Sequence, residues 1–87
     1  MKQTVYKKRF DDLITTLIKI KSKKEMNDFI KGILTPKELE EIPTRLAIVK
    51  MLKQKVAQRK IAQKLKIGIA TVSRGSRELK KGSFKYI

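Results

Sequence analysis

Apolar residues recur at spacings of three and four along this chain, and that spacing limits the fold more than any other feature of the sequence. It is clearest between Arg9 and Ile20, where the apolar residues include Phe10, Leu13, Ile14, Leu17 and Ile18. Residues three and four apart lie on the same face of an α-helix, whereas a half-buried strand requires strict alternation. The sequence shows no strand pattern, so we expect an all-α protein.

Capping residues divide this pattern into separate helices. Ser22 and Glu25 form a capping-box pattern that predicts the start of a second helix, and Gly32 predicts its end. Thr35 and Pro36 predict the start of a third helix, because the missing N–H of proline costs nothing at the first helical position.

Pro43 lies inside the third helix, which is expected to run to about Leu52. Pro43 cannot donate a hydrogen bond to the carbonyl of Leu39, so we expect it to bend or split the helix. Two short helices are predicted at about residues 58–65 and 69–80, which brings the total to five. Residues 81–87 are too few and too polar to form another packed helix.

The positive charge is concentrated in the second half of the chain. Residues 1–48 contain 11 Lys/Arg and 7 Asp/Glu, whereas residues 49–87 contain 12 Lys/Arg and one acidic residue, Glu78. A cationic surface of this kind attracts a polyanion, and nucleic acid is the commonest such partner. A basic protein that binds RNA or a membrane surface is the alternative.

Composition excludes several classes of function. The chain has no Cys and no His, so disulfides, zinc fingers, Cys nucleophiles and His-based catalysis are excluded. It shows neither a carboxylate pair nor a phosphate loop, and we expect no enzyme, no catalytic residue and no metal site. It has neither a signal peptide nor an apolar run long enough for a membrane span, so we expect a cytoplasmic protein without a membrane partner.

The length of 87 residues allows a single domain over residues 1–87. A chain this short buries only about 60–65% of the surface that it exposes when unfolded. Its own core is therefore marginal, and a partner subunit would help to complete it.

A helix-turn-helix pattern occupies about residues 58–80 and is the most informative local motif. Ala62 is small where the two helices cross, and the inner faces are apolar. Gly68 is expected to supply the flexible residue of the turn. An ordinary helical hairpin with a solvated charged face is the alternative. The inner-face residues are Ile61, Leu65, Ile67 and Val72.

The second helix of this motif begins at Ile69 and carries the small residues Ala70, Thr71 and Ser73 on its outer face. Small side chains allow a helix backbone to approach the base edges in a major groove. The pattern therefore predicts that this helix reads duplex DNA.

With these residues in view, the chain resembles the Trp repressor family over about residues 10–80. The resemblance rests on Leu34-Thr35-Pro36, Thr44-Arg45 and Gln58-Arg59, and it is sharpest in the string GIATVSRGS at residues 68–76. It implies a five-helix Trp-repressor-like helix-turn-helix domain that forms an intertwined homodimer. It further implies a sequence-specific DNA-binding transcriptional repressor with L-tryptophan as corepressor and no other cofactor.

The resemblance also implies a ligand site in which Arg45 and Arg74 sandwich the indole ring. Guanidinium planes stack on aromatic faces and pair with carboxylates. Taken without the resemblance, Arg74 fits a phosphate contact and Arg45 an exposed helix charge. Gly75 would leave room for the ligand close to the backbone. The remaining predicted ligand residues are Val49, Glu78 and, from the other subunit, Leu34 and Thr35.

The same resemblance assigns a set of residues to DNA. They are Gln58, Arg59, Gly68, Ile69, Ala70, Thr71 and Ser73. The alternative is a DNA-binding regulator of this family that does not bind tryptophan. That alternative rests on Glu78, which stands where the family usually has a small hydroxyl residue, on Pro43 and on the short connection before Gln58.

Overall fold

A computed structural model describes the backbone of residues 3–87 and the side chains of residues 5–87. These residues form five helices and no strand, which confirms the all-α fold and the number of helices. Within the same residues, none of the helices is both long and apolar enough to cross a membrane. The helices are α1 (Gln3–Lys19), α2 (Lys23–Ile33), α3 (Pro36–Lys53), α4 (Gln58–Leu65) and α5 (Ile69–Lys80).

The residues up to Thr35 form one compact unit and residues 36–87 form another. A single domain over residues 1–87 stays a prediction. In the first unit, α1 begins at Gln3, before the apolar pattern from which it was predicted. No residue between Val5 and Thr35 is buried.

The start of α2 confirms the predicted cap. The hydroxyl oxygen of Ser22 accepts a hydrogen bond from the backbone N–H of Glu25 at 3.0 Å. The predicted end at Gly32 is wrong by one residue, because α2 continues to Ile33 and the backbone becomes extended at Leu34. A helix ends readily one or two residues before a proline, which cannot continue it, and no glycine is needed here.

α3 is continuous from Pro36 to Lys53, so Pro43 does not split it, contrary to one of the two expected effects. A bend at this residue stays a prediction. Pro43 is exposed and Leu39, whose carbonyl loses its helical donor, is half-buried. The hydroxyl of Thr44 donates to the carbonyl oxygen of Glu40 at 2.9 Å.

The second unit is held together by one apolar contact between three helices. Ile48 of α3, Ile61 of α4 and Val72 of α5 are each 1% exposed or less and pack against one another. This confirms the inner face predicted for the helix-turn-helix. The partly buried residues around the cluster are Met51, Leu52, Val56, Ala62, Leu65 and Ile67.

The turn between α4 and α5 differs from the expectation. Lys66 ends α4 in the left-handed region, with φ 55° and ψ 49°. Gly68 has φ −70° and ψ 146°, which any residue adopts. The prediction that Gly68 supplies the backbone freedom of the turn is therefore wrong. The residue with positive φ is Lys66, two positions earlier, and its Cβ atom makes this conformation sterically unfavourable.

We predict that Lys66→Gly stabilises the protein by about 0.5–1 kcal/mol, because glycine removes the clash between Cβ and backbone at a left-handed helix end. Gly68→Ala should be neutral, since a Cβ at this position meets no atom within 4 Å. Thermal and urea unfolding measure both effects.

Lys66→Ala is the control for this pair, because it removes the charge of Lys66 and keeps the Cβ atom. It should not show the gain. If Lys66→Gly leaves the stability unchanged and Gly68→Ala lowers it, the turn depends on the backbone freedom of Gly68 and not on that of residue 66.

Candidate ligand cavity and nucleic-acid interface

The beginning of α5 presents an open surface. Ile69, Ala70 and Thr71 are exposed there, as is Gly68 at the N-cap, and Arg59 is exposed on α4. The small side chains of Ala70 and Thr71 leave the helix backbone accessible to a flat or grooved partner. Five of the seven residues predicted to face DNA are therefore on the surface.

The other two, Gln58 and Ser73, are half-buried and contact each other. The hydroxyl of Ser73 donates a hydrogen bond to Oε1 of Gln58 at 2.9 Å. This bond joins the first turn of α4 to α5 and adds to the apolar contact between the two helices.

Residues 49–87 present a nearly uniform positive surface. All twelve Lys and Arg residues between 49 and 87 are exposed. The only acidic residue of this segment is Glu78, which pairs with Lys81 at 3.4 Å. The cations are Lys50, Lys53, Lys55, Arg59, Lys60, Lys64, Lys66, Arg74, Arg77, Lys80, Lys81 and Lys85.

A cavity of about 510 Å³ lies between α3, α5 and the residues after α5. This volume falls within the range of about 300–1,000 Å³ that is typical of small-molecule sites. Its walls carry three arginines and one carboxylate beside apolar side chains. The lining residues are Arg45, Ile48, Val49, Ala70, Thr71, Arg74, Gly75, Arg77, Glu78 and Phe84.

Sequence reasoning missed several members of this wall, most clearly Arg77 and Phe84. Arg77 follows Arg74 by three residues on the same helix, and that spacing was a usable signal. Phe84 carried no comparable signal, because it stands in a polar segment that was not expected to pack. Ala70 and Thr71 were predicted to face DNA, and they also line the cavity.

Glu78 lines the cavity and is hydrogen-bonded to two neighbouring side chains. Its carboxylate accepts hydrogen bonds from Lys81 Nζ at 3.4 Å and from the hydroxyl of Ser83 at 3.2 Å. The hydrogen bond and charge of Lys81 lower the pKa of the Glu78 carboxyl. Ser83 and Arg74 lower this pKa further, while desolvation opposes them.

Arg45 approaches the cavity from α3. Its guanidinium lies 3.7 Å from a carboxylate oxygen of Glu41, one helical turn earlier, and its side chain is 54% exposed. Such a surface pair is weak. The guanidinium is therefore available to a ligand at little cost.

A family model described as Trp repressor protein matches residues 8–87. The chain belongs to the Trp repressor family. This family is regulatory and not enzymatic, so the protein is a regulator of the Trp repressor type and not an enzyme.

Individual relatives agree with the family match. A Trp operon repressor homolog of Vibrio vulnificus (strain YJ016) is 42% identical over 69 residues, which are 77% of this chain and 68% of that protein. The homolog of Vibrio cholerae is 39% identical over 72 residues, 80% of this chain and 70% of its own. The homolog of Chlamydia caviae is 39% identical over 70 residues, 79% of this chain and 69% of its own.

The structure brings together five of the seven residues that the resemblance to the Trp repressor family assigns to a ligand. Arg45, Val49, Arg74, Gly75 and Glu78 all line the cavity. The other two, which were expected to reach the site from a second subunit, are Leu34 and Thr35, and neither is among the lining residues of this chain.

Gly75 belongs to the string GIATVSRGS, which carries the resemblance to the Trp repressor family. It has a second role that the sequence did not show. A Cβ atom added to Gly75 would lie 3.0 Å from Cγ2 of Ile48 and 3.8 Å from Cδ1 of Leu52. Ile48 is fully buried and cannot move away easily. The glycine therefore lets α5 lie close against α3, besides opening the cavity beside it.

We predict that Gly75→Ala lowers the free energy of unfolding by about 1 kcal/mol. Overpacking costs about 1–3 kcal/mol and outweighs the gain of about 1 kcal/mol in helix propensity. Urea denaturation measures the change.

The same substitution in an Ile48→Leu background provides the control, because leucine has no methyl branch at Cβ. The loss should then be smaller by about 0.5 kcal/mol or more, as expected for residues in direct contact. Equal losses in both backgrounds would show that the contact with Ile48 does not explain the glycine.

Proposed function

We propose that this protein is a sequence-specific, DNA-binding transcriptional repressor that uses L-tryptophan as its corepressor and acts as a homodimer. The observation that carries the proposal is the position of Ala70 and Thr71. Both residues belong to the exposed start of α5, and both line the cavity. A ligand in the cavity would contact the same helical turn that enters the major groove, so ligand and DNA would act on one element.

The chemistry of the cavity suits an aromatic zwitterion. The flat guanidinium groups of Arg45 and Arg74 can stack on an indole ring from α3 and α5 and pair with a carboxylate. Arg77 adds a third positive charge, whereas Glu78 supplies a single negative charge for an ammonium group. Val49 adds an apolar surface at which the ring is shielded from water.

The exposed apolar residues of the first unit support a homodimer. Tyr6, Phe10, Ile14 and Ile18 follow one another at intervals of four along α1, and each is 40% exposed or more. Nothing between Val5 and Thr35 is buried. A second copy of the chain would cover this stripe. In a two-fold dimer, the two α5 helices would lie about 34 Å apart and enter successive major grooves.

A regulator of the same family that binds DNA without tryptophan is the second candidate. It is favoured by Glu78, because both of its carboxylate oxygens already accept hydrogen bonds, from Lys81 and Ser83. A ligand ammonium group would have to share or displace these donors.

We predict that L-tryptophan binds the purified protein with measurable heat in calorimetric titration at millimolar ligand or below. Arg74→Gln should weaken binding about tenfold or more, because it removes a stacking and carboxylate-pairing group, equivalent to about 1.4 kcal/mol. Lys64→Gln is the matched control, since Lys64 is an exposed cation of α4 that does not line the cavity. It should bind tryptophan as the unaltered protein does.

An unaltered protein that gives no heat with millimolar tryptophan would select the ligand-independent regulator instead. If Arg74→Gln and Lys64→Gln bind equally well, the ligand lies elsewhere on the protein.

We predict that binding to duplex DNA weakens steeply with salt. If a dimer neutralises six or more phosphates, the slope of log affinity against log salt should be about −5 or steeper. A flat salt dependence would exclude nucleic acid as the partner.

Sedimentation of the same sample should give about twice the 10.1 kDa chain mass. A folded monomer would exclude two-fold operator recognition.

Ala70→Leu tests whether α5 reads the bases. The larger side chain should hold the helix away from the base edges, so sequence preference is lost while salt-sensitive, non-specific binding remains. Because Ala70 also lines the cavity, the tryptophan affinity of this variant is measured in parallel. Sequence preference that survives in Ala70→Leu would contradict the assignment of α5 as the reading helix.

A further inference from the structure

The residues that follow α5 fold back on the helix and do not extend away from it. Gly82 has φ +91°, a left-handed conformation that side chains rarely adopt, and its N–H donates to the carbonyl of Leu79 at 3.1 Å. The next residue, Ser83, donates its backbone N–H to the carbonyl of Glu78 at 3.4 Å. The glycine thus reverses the chain directly after the helix.

Two side-chain contacts fasten this returning segment, which comprises residues 82–87. At its start, the hydroxyl of Ser83 donates to the Glu78 carboxylate at 3.2 Å. At its other end, Lys53 at the end of α3 donates a hydrogen bond from Nζ to the backbone oxygen of Ile87. The segment is therefore tied to both of the helices that form the cavity.

Phe84 lies between these two attachments, is half-buried and lines the cavity. Among residues 36–87, all of which the structure describes, it is the only aromatic residue that lines this cavity. Tyr86, the other aromatic residue of the segment, is 87% exposed and does not line the cavity.

We propose that Phe84, held in place by residues 82–87, contacts the ligand and makes the cavity prefer aromatic over aliphatic amino acids. The inference rests on the proposed binding of tryptophan and adds a determinant of specificity to it. An aromatic ring packs against a second ring in an edge-to-face or offset arrangement, which contributes more than the apolar area alone. An aliphatic ligand gains only the area term.

The test is calorimetric titration of three variants with L-tryptophan and with L-leucine. Phe84→Ala should bind tryptophan about tenfold more weakly than the unaltered protein, because both the ring contact and the apolar wall are lost. Phe84→Leu keeps the apolar wall and should lose most of the preference for tryptophan over leucine. Tyr86→Ala removes an exposed aromatic residue from the same segment and should change neither affinity.

The attachments provide a second measurement. Lys53→Gln should weaken tryptophan binding in the same direction as Phe84→Ala, though less, because it releases only one end of the segment. Lys50→Gln, which removes an exposed cation one turn earlier on α3, should have no effect. Circular dichroism identifies any variant that has lost helix.

The outcomes separate this inference from the function on which it rests. No tryptophan binding by the unaltered protein refutes both. Binding by the unaltered protein with an equal affinity in Phe84→Ala and Phe84→Leu refutes the role of Phe84 alone. Tighter binding by Phe84→Ala also refutes it, because the ring would then obstruct the cavity and not complete it.

Discussion

The contact between Ile48, Ile61 and Val72 is the interaction on which the second unit depends. Each residue comes from a different helix, and each is almost completely inaccessible to solvent. Burial of three such side chains contributes about 1.5–3 kcal/mol each, a large share of the stability available to so small a unit. It also fixes α5 against α3, so the cavity between these helices and the exposed start of α5 are set by the same contact.

Gly75 affects both the packing of α5 against α3 and the wall of the cavity, because the two helices lie close together at this residue. A Cβ at Gly75 would lie only 3.0 Å from Cγ2 of Ile48, a tight contact, and Gly75 also lines the cavity. A glycine at this position therefore has two physical consequences. A substitution there alters stability and ligand contact together, and only a compensating change at Ile48 separates them.

Charge is arranged so that the cavity and the surface around it stay cationic. Glu78 is the only acidic residue after position 48, and its carboxylate is already bonded to Lys81 and Ser83. The arginines of the cavity, Arg45, Arg74 and Arg77, outnumber it. The Glu78 carboxylate reduces the positive potential locally. Through its hydrogen bond from Ser83 it also holds the segment that carries Phe84.

The sequence alone determined the features that depend on neighbouring residues. It predicted the bounds of α4 and α5, the cap at Ser22 and the inner face of the helix-turn-helix, because helix propensity, capping and periodicity act over a few residues. Motif resemblance added Arg45 and Arg74. The tertiary structure decided the rest: the left-handed Lys66 in place of Gly68, the fit of Gly75 against Ile48, and Phe84 in the cavity wall. The last two depend on contacts with α3, which is distant in sequence from Gly75 and Phe84, and no local pattern encodes those distances.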